Sequence, residues 1–240
     1  MGRMTTPAHP DLALVARALA DESRASMVMA LLDGRAWTAG ELASHAGVAR
    51  STASAHVDQL VAAGLVSELR QGRHRYVRLR DAQVADAVEA LAALSPRVRP
   101  ATASLSGQRV DAELQAGRTC YRHLAGRLGV WLTEEWLRLE IVSDDWELTA
   151  VGRAWLDGVG FQCPAAARRP LVRPCLDWTE RREHVAGLAA DGFAQHALDL
   201  GWLERRSHRR SVELTPAGCT ALSASGLRVD ELPAGHLSSP

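Results

Sequence analysis

The sequence contains no lysine: all 28 basic residues are arginine. Together with abundant alanine this marks a GC-rich coding bias, so the choice of Arg over Lys says little about function. Net charge is also missing, since 28 acidic residues balance the 28 basic ones. The chain as a whole is therefore not a polybasic nucleic-acid binder, and any such footprint must be local. Cysteine is scarce, with Cys120, Cys163, Cys175 and Cys219 as the four in 240 residues. That is too few for a disulfide framework. No run of about 18 apolar residues exists to span a bilayer, and no charged start followed by an apolar core reads as a secretion signal. These absences lead us to expect a cytoplasmic protein with reduced thiols and no membrane partner. What is present is a hydrophobic fraction of 47%, enough for a real core in one or two domains.

Charge is unevenly spread. Between His45 and Arg80 stand six arginines (50, 70, 73, 75, 78 and 80) against Asp58 and Glu68, a basic stripe inside a neutral protein. The surrounding pattern is helical. Leu12, Val15 and Leu19 fall on one face, and a second helix with Met27, Ala30 and Leu31 is expected to be capped by Ser23 and stopped at Gly34. Thr38 and Glu41 form a capping box for a third helix. Gly47 allows a tight turn into a fourth helix from about Ser51 to Ala63, with Val57, Leu60 and Val61 available for the core. Two short helices joined by a glycine-containing turn are a helix-turn-helix signature. Arg50, Ser51, Thr52, Ser54 and His56 crowd the start of the fourth helix with small or polar groups, as approach to base edges requires. A plain surface helix is the alternative.

LVSELRQGRHRYVRL then reads as two strands around Gln71-Gly72, with Arg70, Arg73 and Arg75 at or beside the tip. Three guanidiniums at a hairpin tip suit a wing against a phosphate backbone. Losing Arg73 should weaken binding to every DNA sequence alike. A fifth helix places Val84, Val88, Leu91 and Leu94 on one face and is expected to pair with the first helix of a second copy. A half-site reader also needs such a partner. The Pro- and Ser-rich stretch from 95 reads as a linker.

These residues carry a resemblance. ALADESRASMVMALL, ELASHAGVARSTASAHVDQLVAAGLVSELRQGRHRYVRL and the helix that follows resemble the ArsR family of winged-helix repressors over residues 12–94. The resemblance implies a homodimer that binds double-stranded operator DNA and lets go when an inducer binds. Metal-sensing members often carry Cys-x-Cys in the third helix, where this chain reads ELASHAG. Others place Asp and His ligands on the fifth helix, which here has Asp81, Asp86 and Glu89 but no His. Any sensor is therefore expected elsewhere.

The second half repeats weakly. HLAG at His123 matches HVAG at His184, and Glu147-Leu-Thr-x-x-Gly152 matches Glu213-Leu-Thr-x-x-Gly218. Each copy is expected to read helix, helix, strand pair and a helix opened by Thr149 or Thr215, a winged-helix-like order. Some longer ArsR-like regulators look similar here, with steps like CYRHLAG and CLDWTERR. The fold expected is mainly α with small β-hairpins, an α+β arrangement. It comprises a winged helix-turn-helix domain (1–94), a linker (95–112), a C-terminal regulatory and dimerisation domain with the repeat (113–229) and a tail (230–240).

Cys120 and His123, three apart on an expected helix, would face one side and could share a metal with Cys175 and His184. Thiolate and imidazole suit zinc or another soft metal. Against this, the Cys precedes its His by three residues in one copy and nine in the other. A thiol redox switch and inert buried cysteines are the alternatives. So the inducer is left open between a metal, an oxidant and a small molecule. Six of the seven tryptophans lie in this half, reading as core filling or as an apolar ligand pocket. RRSHRRS (205–211) reads as a second wing or a solvated hairpin. A Cys–His enzyme is the rival from another class, but no phosphate loop, nucleophile elbow or metalloprotease motif accompanies it. A protein-binding module is the third reading, and the basic wing argues against it.

Overall fold

A computed structural model describes residues 10–72, 74–96, 105–164, 169–206 and 210–232. The chain separates into two compact units, Met1–Ala85 and Asp86–Pro240. The division falls inside the fifth helix, where the sequence reading placed it after Leu94.

The first unit runs α1 (Leu12–Leu19), α2 (Glu22–Leu31), β1 (Trp37–Thr38), α3 (Ala39–Ala46), α4 (Arg50–Ala62), β2 (Val66–Gln71) and β3 (His74–Leu79), and α5 (Ala82–Leu94) begins within it. The three strands form one antiparallel sheet in the order β1-β3-β2. The helix starts follow local chemistry. Asp21, not Ser23, caps α2 by accepting from the Arg24 backbone. The Thr38–Glu41 capping box opens α3, and Gly47 closes it at φ 66°. Met27, Leu31, Leu42, Val57, Leu60 and Val77 are wholly buried. Val61, expected inside, is exposed. The apolar face of α1 also lies open, with only Ala18 buried. On α5, Val84 and Val88 are buried while Leu91 and Leu94 are exposed.

The second unit continues with α6 (Leu105–Ala116), β4 (Arg118–Cys120), β5 (His123–Ala125), α7 (Gly126–Arg138), α8 (Ala150–Gly158), β6 (Arg173–Leu176), β7 (Glu183–Ala186), α9 (Leu188–Asp199), β8 (Leu203–Arg205), β9 (Val212–Leu214) and α10 (Pro216–Ala224). Thus α6 starts within the stretch read as a linker. The order within each copy also differs from the expectation: a β-hairpin, a helix, a strand pair and a second helix, the first strand pair being the single bridge Val142–Leu148. CYRHLAG is not helical, because Tyr121 (φ 58°) and Gly126 (φ 72°) both adopt left-handed backbone. Such angles end or delay a right-handed helix.

The ELT-x-x-G motif has a packing explanation. Thr149 and Thr215 cap α8 and α10, each accepting from the backbone of the glycine three residues on. A side-chain carbon on Gly152 would come within 2.1 Å of the Ile141 carbonyl, and one on Gly218 within 2.2 Å of the Trp202 carbonyl. Both helices therefore lie directly on the backbone just ahead of the preceding strand pair. The core of the second unit is aromatic. Trp136, Trp155 and Phe193 meet with ring centroids 5.4–6.0 Å apart, and Trp131 and Trp136 are buried. These tryptophans fill the core.

Candidate functional site

The first unit presents a basic surface. Arg50, Ser51 and Thr52 are exposed at the start of α4, and Ser54 is half-buried. The helix has no side-chain cap at Ala49, so its first backbone N–H groups are open to an external acceptor such as a phosphate oxygen. On the adjoining hairpin Arg70 is 75% exposed at the side chain, next to the Gly72 turn at φ 58°. Arg73 lies outside the described residues.

Two of the residues expected at DNA have partners within the unit. His56 turns toward α2, with Arg24 Nη1 3.4 Å from its Nδ1 and Asp21 3.7 Å from its Nε2. Arg75 donates to Glu68 and to Asp58, the latter at 2.7 Å. Its charge is matched by these two carboxylates, which raise its pKa against the opposing pull of burial. Asp58 sits on α4 and Glu68 on β2, so Arg75 fastens the hairpin to the helix. RRSHRRS is not a free arginine tip in its described part: Arg206 pairs with Glu213, and Arg210 is buried with a bond to Glu89. Residues 207–209 lie outside the described residues.

The second unit contains the chemistry that spacing obscured. Cys120 pairs with His123 across β4–β5, and Cys175 pairs with His184 across β6–β7. Each Cys is directly opposite its His. The separations of three and nine residues differ only because the second hairpin has a longer connection. The ligand atoms of Cys120, His123, Cys175 and His184 all lie within 4.8 Å of one another, and this is the one such cluster among the described residues. The two sulfurs are 3.9 Å apart, and the imidazole centroids are 5.1 Å apart. Cys120, His123 and His184 are buried, and Cys175 is partly exposed.

A polar frame surrounds the cluster. His123 Nδ1 sits 3.2 Å from Asp191 Oδ1, and Arg169 donates to the other oxygen at 3.1 Å. His184 Nδ1 lies 3.5 Å from Asp177 Oδ2. Asp177 is wholly buried. Both its oxygens accept from Arg118 Nη2 at 3.0 Å, and it also accepts from the Gly126 backbone at 2.6 Å and from Thr179. Arg118 in turn lies over the Trp178 ring. His123 Nε2 and both nitrogens of His184 are buried without a hydrogen-bond partner.

The electrostatics are strongly coupled. The contact with Cys120 holds the Cys175 thiol far below its ordinary range, helped by both histidines and opposed by burial. The same contact, together with burial, pushes Cys120 well up. Burial pulls His123 down, but Asp191 and Cys175 outweigh it and raise it to about 9. Burial lowers His184. Burial raises Asp177, yet Arg118, Thr179 and His184 bring it well below the usual carboxylate value.

Asp177, Asp191 and Arg118 were not singled out from the sequence. Only Asp177, two residues past Cys175, carried a local hint. Asp191 comes from α9 and meets His123 through the fold alone.

Comparison with known proteins agrees with the first unit's geometry. Residues 19–68 match a helix-turn-helix domain family. The uncharacterized HTH-type transcriptional regulator YdfF of Bacillus subtilis (strain 168) is 34% identical over 215 residues, covering 88% of this chain and 94% of that one. A probable mercury resistance operon repressor of Streptomyces lividans is 38% identical over 81 residues, 33% of this chain and 64% of that one. The NMR structure of the cadmium metal-sensor CMTR from Mycobacterium tuberculosis is 36% identical, covers 39% of this chain and 97% of its own, and superposes with a TM-score of 0.31. No helix among the described residues is long and apolar enough to cross a membrane. Helix-turn-helix, basic hairpin and a relative matched across both units together place this chain in the ArsR-like HTH-type transcriptional regulators.

Proposed function

We propose that the chain is a homodimeric repressor that grips operator DNA with α4 and the β2–β3 wing and releases it when an inducer reaches the second unit. The observation that carries this reading is the exposed row Arg50, Ser51 and Thr52 on a helix whose start is uncapped, with Arg70 exposed on the hairpin that Arg75 ties to that helix. Hydroxyls and a guanidinium at a helix start suit base edges and phosphates, and a wing arginine suits the backbone. His56 and Arg75 act as positioning residues in this scheme, and Arg73 keeps the phosphate role expected of it.

Dimerisation is supported by apolar side chains that one copy leaves open: Leu12 is 75% exposed, Leu14 39%, Leu91 48% and Leu94 77%. A second copy would cover them. Repression is supported by the likeness to the probable mercury resistance operon repressor of Streptomyces lividans. An enzymatic role finds less support, because the buried Cys120–His123 pair packs against a second Cys–His pair instead of lining a cleft.

Fluorescence anisotropy with the gene's own upstream DNA tests the reading. Arg70→Ala should weaken binding to all sequences alike and lower the salt slope by about one. A loss confined to one operator sequence would refute its phosphate role, and no binding to any DNA would refute the whole proposal.

A further inference from the structure

We propose that Cys120, His123, Cys175 and His184 form a four-coordinate site for one soft divalent cation of the zinc class. This deepens the function proposed above by naming the inducer's chemistry, and only its regulatory consequence rests on that function.

Geometry is the first argument. A zinc–sulfur bond of about 2.3 Å in a tetrahedron sets a sulfur–sulfur edge of about 3.8 Å, and the observed separation is 3.9 Å. All four ligand atoms fit within 4.8 Å of one another. They come from two hairpins in matching register, so each hairpin supplies one sulfur and one nitrogen.

Unsatisfied polarity is the second. His123 Nε2 and both nitrogens of His184 are buried with no hydrogen-bond partner. Burying such groups unpaired is costly, and a cation between them would satisfy one nitrogen of each ring.

The surroundings are the third. A metal-bound histidine typically donates its other ring N–H to a carboxylate, which fixes the tautomer and aims the free nitrogen. Here Asp191 stands at His123 Nδ1 and Asp177 at His184 Nδ1. His123 therefore offers Nε2 as the free nitrogen, while Asp177, 3.5 Å from His184 Nδ1, stands where it can orient the second ring.

Charge selects the ion. Two thiolates and two neutral imidazoles around a divalent cation sum to zero. The nearby charges are already matched as Arg118–Asp177, Arg169–Asp191 and Arg210–Glu89. A neutral centre is the one a buried site tolerates best, and a monovalent cation would leave a net negative charge. Two sulfur ligands disfavour magnesium and calcium.

A disulfide is the competing use of the cysteines. It would need the sulfurs at about 2.05 Å, and it would leave both histidines unexplained. The cation accounts for all four side chains.

The ligand strands also hold α5. Arg173, two residues before Cys175 on β6, pairs with Asp86. Arg210 donates to the carbonyl of Thr119, beside Cys120, and to Glu89 at 2.8 Å. Asp86 and Glu89 both lie on α5, the helix that begins in the DNA-binding unit. Filling the site would fix these strands and so bias that helix.

The test uses the full-length reduced protein, stripped with a chelator and titrated with Co²⁺. The expected result is saturation at one equivalent, with the visible bands of tetrahedral cobalt and sulfur-to-cobalt charge transfer in the near ultraviolet, both bleached by one equivalent of Zn²⁺. Cys175→Ser should lose part of the charge transfer, and Cys219→Ser should change nothing. Asp191→Asn, which removes no ligand, should weaken cobalt binding by about 10- to 100-fold. Absence of these bands in protein that still binds DNA would overturn the proposal. So would an identical cobalt spectrum in Cys175→Ser. Stoichiometric cobalt uptake with unchanged operator affinity would uphold the site and refute the inducer reading of the second unit.

Discussion

The two units use their polar residues in opposite ways. Among the described residues the first unit buries one polar side chain, Asp33, while the second buries Arg118, Thr119, His123, Thr133, Glu135, Asp177, Thr179, His184, Asp191, Arg210, Ser211 and Glu213 along with Glu89. On the proposed reading, the difference follows from the partner each unit would meet. A polyanion is met at the surface, so arginines and hydroxyls stay outside and the core remains apolar. A small ion would be met in the interior, where ligands must be held in place by buried pairs that would be wasteful elsewhere. The first unit thus invests its polar chemistry in its rim, and the second in its core.

That contrast can be broken by mutation. The largest effect is expected at Arg118→Met, which strands the buried Asp177 without its guanidinium partner. A loss of about 4 kcal/mol is expected for the second unit, read from tryptophan fluorescence during urea unfolding. A loss under about 1 kcal/mol would mean the pair does not organise the frame. Glu135→Gln comes next. Glu135 is buried and accepts from Arg138 and Arg228, and Arg138 followed by Arg228 lowers its pKa from 4.5 to about 2. A depressed carboxylate adds stability that is complete above its unfolded value and disappears as pH falls through its folded value. The wild type should therefore exceed Glu135→Gln by about 2 kcal/mol near neutrality, with the gap closing between pH 4.5 and about 2. A gap independent of pH would contradict this origin. Thr38→Ala, which removes one half of the α3 capping box, should cost the first unit about 1 kcal/mol, measured by thermal melting. Arg50→Ala should leave stability within about 0.5 kcal/mol while weakening DNA binding. A large stability loss there would show that Arg50 serves the fold and not the rim.

Legibility tracked the same divide. The helix-turn-helix and wing could be read because their signals are local: Thr38 and Glu41 sit three apart, Gly47 marks one turn, and Gln71-Gly72 marks another. The partners of His56 and Arg75, Asp21 and Asp58, were not legible because they lie far along the chain and spacing does not reveal them. In the second unit a repeat was visible in the sequence alone, in HLAG, HVAG and ELT-x-x-G, and the close packing of Gly152 and Gly218 explains the last of these motifs. The Cys–His set was named from the sequence, yet the unequal spacings counted against it. Strand register removes that objection, since residues opposite one another across a hairpin can be separated by a connection of any length. Asp191 and Arg118 were invisible for the same reason as Asp21.

The central claim is that the buried cluster of the second unit controls the DNA grip of the first. The most direct measurement is the anisotropy isotherm on the upstream operator, taken with chelator-treated protein and again with one equivalent of zinc. The account predicts tight binding without metal and at least a tenfold weaker grip with it, a coupling of about 1.4 kcal/mol or more. Superimposable isotherms would contradict it.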